Sequence, residues 1–315
     1  MDVSPTFYLG FLAFVAAMLA LDLGVFHRKA HTPSFREAMG WTAIWSTLAV
    51  AFGGFVGWRF GGGAATDYYT AWLVEQSLSI DNIFVFVIVF ASLRIPRELQ
   101  HRVLFWGVLS AVVLRGVMIF GGALLIARWQ WILYVFGGLL LVVAVKFLRS
   151  KGPTAPTEES FFLRWLRRRI PTAPLSGDRF FVRQDGRLRA TPMCLALVLV
   201  EATDVVFAVD SIPAVFAVTT EPFLVFTSNI FAILGLRSLY FVLAGMAGRF
   251  AYLEAGLGIV LAFVGCKLLL HEVVKVPSLV SLGVIVVVIG GAIALSLRRA
   301  PGNGREHGNT NGTSG

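Results

Sequence analysis

The feature that most constrains this chain is a series of apolar segments, each about twenty residues long, separated by short polar connections. A helix of that length crosses roughly 30 Å of hydrocarbon with all of its backbone polar groups hydrogen-bonded internally. The apolar runs are nearly continuous and do not alternate as the strands of a membrane β-barrel do. The sequence therefore predicts an all-α polytopic membrane protein.

Nine transmembrane helices are predicted along the 315 residues. The predicted spans are about 6–26, 39–58, 70–92, 103–125, 131–148, 193–218, 223–244, 252–270 and 279–297. The connections and the tail on one side carry 20 Lys and Arg residues, whereas the other side carries 3. By the positive-inside rule the N-terminus lies outside and the C-terminus lies in the cytoplasm.

The spans divide into two membrane halves. The N-terminal half covers 1–148 and the C-terminal half covers 193–297, with a basic cytoplasmic loop at 149–192 and a disordered cytoplasmic tail at 298–315. The loop is expected to be solvated and to contain a short surface helix, with contact to anionic lipid as the alternative. Because topology explains the net charge of +9, nucleic-acid binding is not expected.

The two halves contain similar segments in the same order. LVEQSLSIDNIFVFVIVF at 73–90 resembles LVLVEATDVVFAVDSIPAVFAV at 197–218. Asp81 and Asp210 are 129 residues apart in these segments, Arg115 and Arg237 in the next spans are 122 apart, and Lys146 and Lys267 in the third spans are 121 apart. Since each unit has an odd number of spans, the repeats 70–148 and 193–270 are predicted to have inverted topology, with a substrate site near the midplane between them.

Charged side chains within the spans are the strongest functional signal, because each costs at least about 2.5–3.5 kcal/mol to insert at a helix centre. Asp81, Asp204, Arg115 and Arg237 are predicted near the midplane, Glu201 and Asp210 a turn or two from it, and Glu75 near the outer end of its helix. The central four carboxylates and two guanidinium groups leave a formal charge of two negative, which one divalent cation would neutralise.

Oxygen is the donor atom that these positions offer, and oxygen sites suit hard or borderline cations. The predicted metal-handling residues are Asp81, Asp210, Asp204, Glu75, Asn82, Glu201 and Ser211, with Arg115 and Arg237 in ion-pair or gating roles. Asp81 and Asp210 are expected to coordinate the cation, and the other carboxylates to couple to the arginines, to a proton or to a gate. The alternative is a set of purely structural ion pairs. No HExxH or GxSxG motif is present, so neither an enzyme nor a resident cofactor is expected.

Several of these segments are similar to those of a known family: SLSIDNIFVF, VLRGVMIF, FAVDSIPAVFAVTT, TSNIFAILGLRSLYF and ALDLGVFHR. From about residue 8 to 297 the chain resembles the TerC family of integral membrane proteins, and in particular its pH-responsive, manganese-linked branch. This resemblance implies export of Mn²⁺ across the bacterial inner membrane. It also implies that Glu75, Asp81, Asp204 and Asp210 handle the metal.

Other functions stay open at this stage. Export of Ca²⁺, or of an organic cation such as an amino acid, would use the same architecture. A membrane scaffold for metal or tellurite resistance would not need the intramembrane carboxylates at all. The expected partners are the lipid bilayer and a divalent cation as substrate, and a homo-oligomer is compatible with the sequence.

Overall fold

The computed structural model describes residues 3–21, 34–129, 131–149, 172–184, 186–243, 252–270, 273 and 276–299. The described residues form nine α-helices and one β-hairpin. The helices are α1 Pro5–Leu21, α2 Phe35–Phe60, α3 Gly62–Ser92, α4 Arg97–Arg128, α5 Ile132–Arg149, α6 Pro192–Phe216, α7 Pro222–Leu243, α8 Leu253–Leu269 and α9 Ser278–Arg299, and the strands are β1 Phe181–Gln184 and β2 Arg187–Ala190.

Six of the described helices contain stretches long and apolar enough to cross a membrane, namely α2, α4, α5, α6, α7 and α9. The helices α1 and α8 contain shorter apolar stretches, Pro5–Ala20 and Ala255–Leu269. The remaining helix, α3, carries Asp67 and Glu75 together with several hydroxyl and amide side chains, which lower its hydropathy. The described part of the chain is thus a mostly helical bundle of membrane dimensions, and nine membrane crossings stay a prediction.

The structure corrects the predicted start of α3. This helix begins at Gly62 and not near residue 70, directly after Gly61, whose φ of 94° turns the chain between α2 and α3. That φ lies in the left-handed region, where glycine has no steric penalty. Hydropathy located only the apolar part of α3, because its first turns are polar and the helix is longer than the hydrocarbon layer requires.

A second correction concerns the connection between the two membrane halves. Within the predicted loop 149–192, strands β1 and β2 pair antiparallel, with Phe181 opposite Ala190 and Gln184 opposite Arg187. Gly186, with φ of 74°, lies in the turn. The all-α prediction therefore missed a short hairpin, which the loop's dense arginines and prolines obscured. The arginine-rich segment RWLRRR at 164–169 of this loop and the tail after residue 299 lie outside the described residues.

Helices α5 and α8 pack closely at their glycines. A Cβ atom at Gly137 would lie 2.8 Å from Leu269 Cγ and 3.2 Å from the Gly265 carbonyl oxygen. A Cβ atom at Gly258 would lie 2.9 Å from Leu148 Cγ. The two close contacts involve equivalent positions, because Gly137 and Gly258, like Leu148 and Leu269, are 121 residues apart.

Helices α3, α4, α6 and α7 surround the centre of the bundle. In the described residues α3 packs against α6 and α7, and α4 packs against the same two helices. Most side chains of α7 are buried. These four helices are the ones that carry the predicted site residues.

Candidate functional site

Arg115 is the residue around which the centre of the bundle is organised. It lies in the middle of α4 and is 0% exposed. Its guanidinium donates two hydrogen bonds to Asp204 on α6, from Nη2 to Oδ1 at 2.8 Å and from Nε to Oδ2 at 3.2 Å. Its Nη1 donates to Glu75 Oε1 on α3 and to Asn229 Oδ1 on α7, the latter at 3.1 Å. One arginine therefore links three other helices at a single depth.

The charges of this network do not cancel. Arg115 supplies one positive charge, while Glu75 and Asp204, 1% and 4% exposed, supply two negative charges when ionised. The planar guanidinium can bind Asp204 in a bidentate fashion and still reach Glu75, which a lysine could not do. A formal charge of one negative remains in a low-dielectric environment, where it attracts a cation or a proton.

The predicted depth of Glu75 was wrong. The sequence placed this carboxylate near the outer end of its helix, but α3 starts at Gly62 and Glu75 lies close to the middle of its 31 residues. Its contact with Arg115 puts it at the same level as Asp204. Glu75 and Asp204 are 129 residues apart, which is the separation of Asp81 and Asp210. Both carboxylates that bind Arg115 thus lie at matching positions of the two similar sequence segments.

A small cavity, here called the central cavity, lies beside this network. It has a volume of about 20 Å³. Its walls come from α3, α5, α6 and α8, and its polar lining consists of Glu75, Asn82 and Ser211, all buried. Glu75 Oε2 and Ser211 Oγ have no hydrogen-bond partner among the described residues. The volume suffices for about one water molecule or one cation, and the orphaned oxygens are suitable ligands for a hard cation.

A second cavity, here called the Glu201 cavity, borders Asp204 and has a volume of about 10 Å³. It is lined by Glu201, Asp204 and Arg237 together with apolar residues of α3, α4, α6 and α7. Within the described structure, neither carboxylate oxygen of Glu201 makes a hydrogen bond. The nearby Ser110 hydroxyl donates to the Trp106 carbonyl at 2.7 Å. Arg237 thus lines the same cavity as the carboxylates of Glu201 and Asp204.

The two aspartates predicted as the central ligands lie on the helices that supply the polar lining of the central cavity. Asp81 lies on α3 and Asp210 on α6, each directly before a residue of the central cavity, Asn82 and Ser211. The side chains of Asp81 and Asp210 lie outside the part of the chain that the structure describes. Among the described side chains, no three His, Cys, Asp or Glu residues come close enough to hold a metal ion. The predicted coordination by this pair stays a prediction.

Gly107 is a contributor that the sequence interpretation missed. A Cβ atom there would lie 3.3 Å from Val200 Cγ1 and 3.5 Å from Glu201 Oε1, so the glycine keeps the Glu201 cavity open. Gly107 and Asn229 are 122 residues apart, the separation of Arg115 and Arg237. At one of these positions the amide of Asn229 binds Arg115, and at the other a glycine lines the Glu201 cavity. Applying the same separation to every polar residue would have identified this pair from the sequence.

A helical bundle of this length and hydropathy, with charged side chains buried at its centre, defines an integral, multi-pass membrane protein. The model of the integral membrane protein TerC family matches residues 60–302. The chain belongs to this family.

Curated relatives cover almost the whole chain. An uncharacterized membrane protein of Myxococcus xanthus is 54% identical over 302 residues, covering 95% of both chains. A protein of Escherichia coli (strain K12) named "Putative membrane-bound redox modulator Alx" is 45% identical over 292 residues, 90% of this chain and 91% of the relative. An uncharacterized membrane protein of Rickettsia bellii is 39% identical over 291 residues, 92% of this chain and 96% of the relative. No solved structure matches the chain.

Proposed function

We propose that this protein exports a divalent cation, with Mn²⁺ as the predicted substrate, through the central cavity between its two membrane halves. The observation that carries the proposal is the pair of orphaned, buried oxygens, Glu75 Oε2 and Ser211 Oγ, in a cavity of about 20 Å³. Buried polar atoms are nearly always hydrogen-bonded, so two unsatisfied oxygens facing one space call for a ligand. A cation that prefers oxygen donors meets that requirement.

The surrounding charges favour a cation over an anion. The Arg115 network has one unbalanced carboxylate, and Asp81 and Asp210 lie next to the cavity residues in sequence. An ion with two positive charges offsets the repulsion among these carboxylates. Asp81 and Asp210 are proposed as the principal ligands, with Asn82, Ser211 and Glu75 completing the oxygen set.

An inverted repeat supplies the means of exposing the cavity to each side in turn. The proposal is supported by the matching contacts of α5 and α8, Gly137 with Leu269 and Gly258 with Leu148, which are those that a pseudo-two-fold axis between the repeats requires. It is also supported by the cavity lining, since Asn82 and Ser211 are 129 residues apart. A site on such an axis becomes accessible from either side when one repeat tilts against the other.

Arg115 is proposed to hold the resting, closed arrangement. It ties α3 to α6 through Glu75 and Asp204, and these two helices form the polar wall of the central cavity. A cation that binds Glu75 competes with Arg115 for the same carboxylate. Binding would loosen one connection between the repeats and permit them to move.

Flux measurements with the purified protein in proteoliposomes test the proposal. We expect Mn²⁺ flux in wild-type vesicles, competition by Ca²⁺ but not by lysine, and loss of flux in Asp81→Asn and Asp210→Asn. Asp67→Asn is the matched control, because Asp67 is an acidic residue of the same helix α3 that does not line the central cavity. Competition by lysine would favour an organic-cation exporter, and equal flux in wild-type and empty vesicles would remove the transport proposal.

The name of the Escherichia coli relative suggests a second candidate, a role in redox balance. The chain has 2 cysteines, and both Cys194 and Cys266 are free thiols. A thiol-based role predicts that Cys194→Ser with Cys266→Ser abolishes activity in cells, whereas a cation exporter keeps it. A scaffold role predicts instead that activity survives Asp81→Asn and Asp210→Asn.

A further inference from the structure

A large apolar groove lies at the periphery of the bundle, away from the central cavity. It has a volume of about 760 Å³ and lies between α1, α2 and the first half of α7. Its lining consists mostly of aromatic rings, and two of these, Phe14 and Phe55, are 39% and 37% exposed. The groove is therefore open along its side, where a membrane-spanning bundle meets lipid.

The groove exists because aromatic side chains, and not close backbone contacts, hold α1 against α2 and α7. The Phe11 ring centroid lies 5.3 Å from that of Phe52 and 5.6 Å from that of Phe231. Beside them Gly10 lines the groove, and a Cβ atom there would meet nothing within 4 Å. The arrangement is the opposite of the α5 and α8 contact, where glycines bring the backbones together.

The groove has the dimensions of one leaflet. Trp58 is 82% exposed and lies near the end of α2. Exposed tryptophans at helix ends commonly lie at the interface between membrane and water. From the adjacent Arg59 to Leu48, which lines the inner part of the groove, the helix α2 covers about 16 Å at 1.5 Å per residue. That distance is about half of the roughly 30 Å hydrocarbon thickness.

A positive charge marks the outer end of the groove. The Arg59 guanidinium carbon lies 5.8 Å from the ring centroid of Phe7 and 5.3 Å from that of Phe60. Phe7 is itself part of the groove lining. Stacking on two rings holds the exposed guanidinium beside the opening, at the depth where lipid phosphates lie.

We propose that this groove binds one acyl chain of an anionic phospholipid, whose headgroup phosphate pairs with Arg59. The apolar walls, the opening on the side and the length of the groove match an acyl chain. The guanidinium of Arg59 at the end of the groove matches an anionic headgroup. The bound chain fills the space between α1 and α2 and stabilises the position of α1. This inference is independent of the proposed transport function.

Photo-cross-linking with a phosphatidylglycerol that carries a diazirine on its acyl chain tests the groove. We expect labelled peptides from α1 and α2 of the wild-type protein. Gly10→Leu fills the groove and should reduce this labelling at least about fivefold, because side-chain bulk and an acyl chain cannot share the space. Gly54→Leu is the matched control, since Gly54 is an exposed glycine of α2 outside the groove whose Cβ atom would also meet nothing within 4 Å.

The headgroup contact is tested by competition between phosphatidylglycerol and phosphatidylethanolamine for the labelled site. Arg59→Gln should reduce the preference for the anionic lipid about fivefold, whereas Arg128→Gln, which removes an exposed arginine in the last turn of α4, should leave it unchanged.

Three results would overturn the inference. Wild-type label confined to peptides outside α1, α2 and α7 excludes the groove whether or not the variants fold. Equal labelling of Gly10→Leu and Gly54→Leu excludes it as well. Equal labelling in the presence of excess unlabelled phosphatidylglycerol and excess unlabelled phosphatidylethanolamine would reject an anionic phospholipid as the occupant.

Discussion

At the scale of single residues, the central question is why a fully buried arginine is tolerated. Arg115 makes hydrogen bonds to Asp204, Glu75 and Asn229, so its guanidinium replaces the lost hydration with charged and polar partners. Such an arrangement is costly to assemble but far more costly to break on one side. The network therefore specifies how α3, α4, α6 and α7 fit together.

Removing Arg115 should destabilise the protein. Arg115→Leu leaves Glu75 and Asp204 buried without their counter-charge, and we expect a loss of about 3–5 kcal/mol in stability. Arg115→Lys should fall between this variant and the wild type, because an ammonium group cannot reproduce the bidentate contact. Thermal unfolding followed by fluorescence-detected size exclusion measures the effect. The control is Arg128→Leu, at an exposed position. If Arg115→Leu has the same unfolding temperature as this control, Arg115 does not stabilise the protein.

Ser211 allows ligand binding to be separated from folding. Its hydroxyl is buried and has no partner within the described structure, so Ser211→Ala should leave the unfolding temperature unchanged or slightly raise it. If the hydroxyl is a cation ligand, its removal should raise the apparent KM for Mn²⁺ about twofold to tenfold. Ser228→Ala is the matched control, because Ser228 is equally buried but donates to the Val225 carbonyl at 3.2 Å and does not line the cavity. Identical KM values for the two variants would remove Ser211 from the site.

At the scale of elements, the pair α5 and α8 shows how small residues decide helix packing in a membrane. Lipid competes with apolar side chains for the same surface, so close van der Waals contact between backbones is what favours association. Gly137 and Gly265 provide that contact, and each would place a Cβ atom within 3.2 Å of the other's carbonyl oxygen. These two helices in turn supply one wall of the central cavity.

Neighbouring glycines of α5 should respond differently to the same substitution. Gly137→Ala forces α5 away from the Gly265 carbonyl and should lower stability by about 1–3 kcal/mol. Gly138→Ala introduces a Cβ atom that meets nothing within 4 Å, so the gain in helix propensity should make it neutral or stabilising. Unfolding temperatures of the two variants in the same detergent test this difference. A Gly137→Ala protein as stable as Gly138→Ala would show that backbone contact does not hold α5 to α8.

At the scale of the whole molecule, the orientation of the bundle is predicted from the distribution of its basic residues. The connections and the tail on one side carry 20 Lys and Arg residues, and those on the other side carry 3. The hairpin of β1 and β2 belongs to the side with 20 and is therefore expected in the cytoplasm. Trp129 and Trp131, between α4 and α5, are 49% and 60% exposed and belong to the opposite end. The Trp58 end of the proposed lipid groove lies on that same side.

Cysteine labelling checks this orientation. In a background with Cys194→Ser and Cys266→Ser, we expect Ser176→Cys to react with an impermeant maleimide only after the cells are permeabilised. Trp129→Cys should react in intact cells. Labelling of both variants in permeabilised cells is the control for accessibility. The reverse pattern would place the N-terminus in the cytoplasm and invert the proposed direction of transport.

Much of the fold was accessible from hydropathy, since burying a polar backbone in lipid is so costly that apolar runs of about twenty residues become helices. The predicted segments follow the helices that the structure describes, with differences at the ends. The start of α3 and the hairpin were not predicted, because polar helix turns and short strands outside the hydrocarbon leave no comparable signal. The depth of Glu75 was misjudged for the same reason.

By itself the sequence determined that the chain spans a membrane, that its halves are similar and that arginines and carboxylates share the interior, because these properties depend on composition along single helices. The tertiary structure decided which carboxylates bind Arg115 and which oxygens remain orphaned in the central cavity. It also decided that Glu201 lies in a separate cavity opened by Gly107. Those outcomes depend on the rotation and relative depth of helices far apart in sequence, where a shift of one residue turns a side chain by about 100°.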